Sequence, residues 1–256
     1  MHDEVVHYRD NGFVVIEDFL DPTELDDWRN AVDEAVLLRG KDKVPWGEED
    51  WPESAIFKQI MQLWMDNERM KALLHDERIG RMAADLAGVD GVRIWHDQAL
   101  IKMPWANPTS WHQDNPKWSF TSDAAISIWI ALDDVTAHNG CMYFLPGSQN
   151  GRYKEVPVKA PMSEIFTVNP ELAGISPVPA PMQAGSCSFH NGLTVHGAGA
   201  NMTPGYRRAM TCAFMPDGST FNGIRNVLPE SYFNSLRIGD VLNNSAQNPL
   251  IFKKSQ

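Results

Sequence analysis

The sequence predicts one mostly-β domain, a sandwich or barrel, covered at its N-terminal end by helices. Three observations carry this. From Val92 to about Met215, short apolar runs are separated by Pro, Gly, Asn and Asp, as in many short strands joined by turns. Before that, apolar positions recur at helical spacing. No repeat or low-complexity tract divides the 256 residues. The expected organisation is a single domain, 1–256. Residues 1–90 are its mainly helical part, 91–216 its β core and 217–256 a C-terminal extension.

The elements follow in order. Gly12 to Ile16 is a β-branched run and a strand candidate. Asp21-Pro22-Thr23-Glu24 has the form of a helix start, with Asp as N-cap, Pro at the first helical position and Glu three residues after the cap. Leu25, Trp28, Ala31, Val32, Ala35, Val36 and Leu38 continue at helical spacing, which predicts a helix over 22–38. Residues 40–54 are a polar loop whose Trp46 and Trp51 make it a candidate lid. Residues 55–75 and 76–88 are expected to be helical, the second ending at Gly88. Strands are expected within Val92–Trp95, Ala99–Met103, Ala125–Leu132, Cys141–Leu145, Ser186–His190 and Ala209–Phe214. Five prolines make 160–183 an irregular insertion, and the tail from Tyr232 is weakly patterned.

Composition narrows the function. Lys and Arg total 22 against 33 Asp and Glu, a formal net charge of −11. That is the wrong sign for a dedicated nucleic-acid binder or for docking on an anionic membrane face. No run approaches the roughly 18 apolar residues of a membrane span. The opening residues, MHDEVVHYRD, lack the basic and apolar regions of a secretory signal. The three cysteines, Cys141, Cys187 and Cys212, are odd in number and widely spaced, as expected of reduced thiols in the cytoplasm.

The chemistry concentrates in two segments. Trp111-His112-Gln113-Asp114 places an imidazole and a carboxylate on one face of an extended chain. Alone, a His-x-Asp pair is more often a surface pair than a metal site. Here it follows the loop signal Pro104-Trp105-Ala106-Asn107-Pro108, and loop-to-strand junctions are where a rigid scaffold holds binding residues. A distant third ligand would complete a two-histidine, one-carboxylate triad of the kind that holds Fe(II) with open positions. His196, in a glycine-flanked turn, is the best candidate. Arg207 and Arg208 follow it. If that stretch is a strand, one arginine points inward and can hold a carboxylate by two parallel hydrogen bonds. The bland reading makes both surface salt-bridge partners. His190 reads as a structural donor, and His96, Asp97 and His138 as surface or capping residues. Trp105, Trp111 and Trp118 fit a site wall or core packing equally.

Together these segments resemble the phytanoyl-CoA dioxygenase family of Fe(II)- and 2-oxoglutarate-dependent oxygenases. The similar stretches, in order, are Asn11–Leu25, Lys102-Met-Pro104, Trp111–Asp114, Trp129–Asp134, Asn139–Ser148, Phe189-His190, and His196–Asn201 with Arg207. The resemblance covers about residues 8–216. It implies a double-stranded β-helix, a cupin-like jelly roll with helices packed outside. It implies His112, Asp114 and His196 as iron ligands, Arg207 as the grip on the distal carboxylate of 2-oxoglutarate, and Gln113 and Trp129 as pocket residues. It implies Fe(II), 2-oxoglutarate and O2 as cofactors and a small-molecule substrate, oxidised with release of succinate and CO2. Asp114 stands where related halogenases carry Ala or Gly, which favours hydroxylation or another oxidation over halogenation. Two departures are Gln149, where the family often has His, and Ala198, where many members have Ser assisting the cosubstrate. The rival readings are a non-catalytic jelly roll and a metal protein that uses no 2-oxoglutarate. The acid surplus favours a small metabolite over a polyanionic CoA ester.

Overall fold

The computed structural model describes residues 2–42, 57–157 and 160–255. Trp46 and Trp51, the candidate lid residues, lie outside them. The chain enters as helix α1 (His2–Asn11) and strand β1 (Phe13–Ile16), then turns into helix α2 (Pro22–Asp42). The capping box forms as its residues predict. Asp21 Oδ1 accepts from the Thr23 and Glu24 amides at 2.8 and 2.9 Å, and Glu24 Oε2 accepts from the Asp21 amide at 2.9 Å.

The segment read as helix over 55–75 is largely not one. Phe57–Met61 is a strand, β2, and only Glu68–Leu74 forms a helix, α3. The cause is tertiary. β2 pairs antiparallel with residues 98–102 of β3 (Gly91–Lys102), and that ladder outweighs a weak local preference. Helix α4 (Glu77–Ala87) closes at Gly88, as expected.

Two antiparallel sheets follow. The larger one uses β3, β5 (Ile126–Ala131), β8 (Cys187–Asn191), β10 (Arg207–Pro216) and β11 (Leu250–Lys253) in the order β1-β8-β5-β10-β3-β11, with β2 also on β3. The smaller runs β4-β9-β6-β7, from β4 (Thr109–His112), β6 (Met142–Phe144), β7 (Val178–Ala180) and β9 (His196–Ala198). The two runs expected within 92–103 are one continuous strand. The proline-rich insertion holds helix α5 (Glu164–Val168), a 3-10 turn and β7. Trp129, Ala131 and Ala209 of the large sheet pack with Met142, Phe144, Ala180 and Ala198 of the small one, so the sheets form the two walls of a jelly roll. The helices cover the outer face of the large sheet, where Trp28, Val32, Leu74 and Ala83 meet Ile128, Ile130, Met210 and Cys212.

The C-terminal segment joins the same body. β11 pairs with β3, and Phe221, Leu228 and Leu242 pack around Trp95 and Phe120. Among the described residues no helix is long and apolar enough to cross a membrane, and all three cysteines are free and buried. Replacing the α2 cap, Asp21→Ala, is expected to cost about 1 kcal/mol. Thermal unfolding reads this as a fall in Tm of roughly 2–4 °C.

Candidate active site

Strand pairing brings the two chemical segments together. β4 and β9 run antiparallel with His112 directly opposite His196, across an irregular register. Gly197 permits this approach, because a Cβ there would sit 2.8 Å from the Thr109 carbonyl oxygen. Asp114 follows at the end of β4, its amide held by the Gly192 carbonyl at 3.0 Å. The ligand atoms of His112, Asp114 and His196 all lie within 4.8 Å of one another. His112 Nε2 is 3.4 Å from Asp114 Oδ1, and His196 Nε2 is 3.8 Å from Oδ2.

Both imidazoles are oriented by backbone. His112 Nδ1 sits 2.8 Å from the Ser110 carbonyl and His196 Nδ1 2.9 Å from the Thr194 carbonyl. A carbonyl only accepts, so each Nδ1 carries a proton and each Nε2 is turned toward the carboxylate. Burial, reinforced by His112, pushes the His196 imidazole well below its usual range and keeps it neutral. Burial would raise the Asp114 carboxyl, but His196, His112 and His190 outweigh it and hold the group well below its usual value. A neutral His196 and an ionised Asp114 are in the protonation states that a divalent metal requires of such ligands.

The remaining expectations divide. Arg207 begins β10 and is only 2% exposed. Its Nη2 donates to the Gly140 carbonyl at 3.1 Å, while its Nε and Nη1 are buried without a partner among the described residues. Arg208 alternates outward, where it bonds Asp133 at 2.8 and 3.1 Å and Asp33 at 2.7 Å. Trp129 lines the cavity, with the Arg207 guanidinium 5.1 Å from its ring centre.

Gln113 departs from expectation. Lying between two cavity-facing residues, it points the other way. Its amide donates to the Gly151 and Leu193 carbonyls at 2.8 and 2.5 Å and accepts from the Tyr153 amide at 3.1 Å. It fastens the loop behind the site. Gln149 likewise binds the Arg9 and Asp10 carbonyls, a local role at the end of α1. Trp111 is core, packed on Phe166. Trp105 is 61% exposed.

Two groups were misread from sequence. His96 and Asp97 are buried rather than at the surface, whereas His138 is exposed. His96 lines the cavity, edge-on to Trp118, and burial depresses its imidazole to about 4. Asp97 faces the helices and accepts from the Leu63 amide at 3.0 Å. The signal for His96 was the alternation His96, Gln98, Leu100 along one strand, hidden while 92–103 was read as two runs. His190 lies 3.6 Å from Asp114 Oδ2, so it braces the carboxylate.

One cavity is thus lined by both the triad and Arg207, together with Gln98, Leu100, Trp129, Met142, Ala198 and Thr211. The model of the phytanoyl-CoA dioxygenase (PhyH) family matches residues 8–209. The chain belongs to this family. Human peroxisomal phytanoyl-CoA dioxygenase is 26% identical over 227 residues, which is 81% of this chain and 66% of that protein, so the match leaves about a third of the human enzyme unaccounted for. Among solved structures, the non-heme alpha ketoglutarate dependent carbocyclase SnoK of nogalamycin biosynthesis is similar with a TM-score of 0.80. It is 27% identical, with 98% of this chain and 96% of that one covered. The epimerase SnoN, solved with Fe3+, alpha ketoglutarate and nogalamycin RO, is similar at a TM-score of 0.78 and 27% identity, with 98% of each chain covered.

Asp114→Ala is expected to abolish tight Mn(II) or Fe(II) binding in anaerobic titration calorimetry while the fold persists by circular dichroism. Metal affinity unchanged in that variant would remove Asp114 from the ligand set.

Proposed function

We propose that the protein is an Fe(II)- and 2-oxoglutarate-dependent dioxygenase that hydroxylates a small-molecule metabolite. The observation that carries this is the Arg207 guanidinium, buried in the same cavity as the His112–Asp114–His196 set and holding two unpartnered nitrogens. A buried cation with unmet donors is costly unless an anion reaches it. A guanidinium grips a carboxylate with two parallel bonds. The donors fit the group in kind: two imidazoles and one carboxylate suit Fe(II) and would leave open positions. When bound, iron and 2-oxoglutarate supply an O2-activating centre whose balance is substrate C–H plus 2-oxoglutarate plus O2 to alcohol, succinate and CO2.

The protein's own residues then have defined tasks. His112, Asp114 and His196 would hold the metal. Arg207 would neutralise the distal carboxylate of 2-oxoglutarate. Trp129 and Leu100 wall the path between them and exclude water. His190 steadies Asp114. Ala198 brings no hydroxyl to the cavity, and Thr211 lies on the opposite wall with one.

A metal protein that uses no 2-oxoglutarate has no need of Arg207, which disfavours that rival. The likeness to SnoK and SnoN supports a second reading, in which the oxidation ends in ring closure or epimerisation. Product mass separates the two, since hydroxylation adds one oxygen atom and the others add none. Among the described residues, the cavity lining apart from Arg207, Asp114 and the histidines is uncharged, with Gln59, Gln98, Thr109, Ser127 and Thr211 as its polar groups. This favours a small, weakly charged metabolite over a CoA ester. Three buried, unpaired cysteines fit a reducing cytoplasm.

A succinate-release screen across metabolite pools tests the reading, with substrate-dependent succinate expected from at least one pool. Failure of every pool to raise succinate above the substrate-free rate would contradict it. Arg207→Ala is expected to weaken 2-oxoglutarate binding about 10- to 100-fold, the loss of a charge-assisted pair worth roughly 1.5–3 kcal/mol. Arg208→Ala should leave that affinity unchanged within about twofold, since its bonds go to Asp133 and Asp33.

A further inference from the structure

The cavity face of the large sheet carries a buried imidazole that the proposed function does not use. Arg207 opens β10, and His96 of β3 pairs with Ala213 toward the other end of that strand. Ala213 pairs in turn with Ser127 of β5, and Ser127 with His190 of β8. His96, Ser127 and His190 therefore stand in one rung on one face, and all three line the cavity. His190 braces Asp114, so this rung reaches the proposed metal ligands at its β8 end. Arg207 and His96 are well separated along the strands, which leaves the imidazole to a different ligand from the one that Arg207 would grip.

His96 ends a row of hydrogen bonds. Gln59 of β2 pairs with Leu100 of β3, which makes Gln98 its diagonal neighbour across the two strands. Gln59 Nε2 donates to Gln98 Oε1 at 3.1 Å, and Gln98 Nε2 lies 3.4 Å from His96 Nδ1. An amide nitrogen only donates, so Nδ1 accepts and the hydrogen of the neutral ring sits on Nε2. Burial outweighs the pull of Asp114 and keeps that ring neutral. The row runs inward from an exposed glutamine to an imidazole that is only 5% exposed. The Gln98 oxygen is engaged by Gln59, so what the row presents to the cavity is donors: the second Gln98 N–H and the His96 Nε2–H. His96 Nε2 makes no hydrogen bond among the described residues.

We propose that His96 is a specificity-determining residue that donates its Nε2 hydrogen to a neutral carbonyl or hydroxyl oxygen of the substrate, and that Gln59 and Gln98 are positioning residues that fix it as a donor. The inference rests on the reading of this cavity as a 2-oxoglutarate oxygenase site and names the substrate class of that site: an uncharged molecule bearing an acceptor oxygen. A carboxylate is better served by the guanidinium of Arg207. An ammonium finds only donors on this stretch of wall. An analogue without the oxygen leaves a buried donor unmet and is rejected. The length of the row gives Gln59 its role. By holding the Gln98 oxygen it decides which end of that amide faces His96, and so which ring nitrogen carries the hydrogen.

Proton–nitrogen correlation NMR of the imidazoles reads the tautomer directly in the Zn(II)-loaded full chain with 2-oxoglutarate, the His96 signal being the one lost in His96→Phe. Wild type is expected to hold His96 as the Nε2–H tautomer. Gln98→Glu sets an acceptor beside Nδ1 and is expected to move the hydrogen there. The probes are cyclohexanone, cyclohexanol, cyclohexanecarboxylate and cyclohexylammonium. The ketone and the alcohol are expected to shift the His96 Nε2–H resonance, and the two charged probes to leave it in place. His96→Phe is expected to bind cyclohexanone about 2- to 10-fold more weakly, the loss of one neutral hydrogen bond, read from the Trp129 indole resonance. If His96→Phe fails to fold, the wild-type and Gln98→Glu spectra still decide. An Nδ1–H tautomer in wild type, no shift from the two neutral probes, or equal shifts from the charged ones overturns this inference alone. No binding of 2-oxoglutarate to the same sample overturns it together with the proposed function.

Discussion

The Arg207 guanidinium, buried between two sheets with two nitrogens unmet among the described residues, is the constraint around which the rest of the structure makes sense. Removing such a group from water costs several kcal/mol unless something pairs with it. A fold under selection for stability alone would place an apolar side chain there. The carbonyl of Gly140, the ring of Trp129 and the neighbouring Lys102 each shape the chamber, yet none neutralises the charge.

The other half of the site depends on strand pairing. No local feature brings residue 112 to residue 196. The short sheet does so, by setting β4 against β9, and Gly197 makes the approach close enough. Backbone carbonyls then fix both rings so that their free nitrogens converge on Asp114. The large sheet supplies the remaining geometry. Gln98, Thr211 and Trp129 stand in one rung across β3, β10 and β5, and Lys102 and Arg207 stand in another rung across β3 and β10. The outer faces of the same strands pack against α2, α3 and α4, so the scaffold holding the site is also the core of the protein.

What the sequence revealed follows from the range of each interaction. The α2 cap, the Gly88 stop and the His112–Asp114 pair are local patterns, and all three stand in the structure. Alternation along a strand correctly separated Arg207 from Arg208. Local pattern failed where a distant partner decided the outcome. Phe57–Met61 has little strand character of its own and becomes one because β3 offers an edge. His96 looked like a surface residue because the strand holding it was not seen as continuous. Gln113 sits between two cavity-facing residues, so neighbourhood suggested the pocket, whereas the period of two turns it to the opposite face. The C-terminal core residues Phe221, Leu228 and Leu242 sit in irregular chain, where no periodicity marks burial.

The net charge of −11 takes on a narrower meaning. It describes the outer surface, while the cavity sets one buried guanidinium, Arg207, beside one carboxylate, Asp114. The central claim is that one cavity holds a metal on His112, Asp114 and His196 and a 2-oxo dicarboxylate on Arg207 at the same time. Anaerobic visible absorption tests it most directly. Fe(II) with 2-oxoglutarate should give a metal-to-ligand charge-transfer band that neither gives alone and that vanishes in His196→Ala. The absence of any band at saturating iron and 2-oxoglutarate would contradict the account.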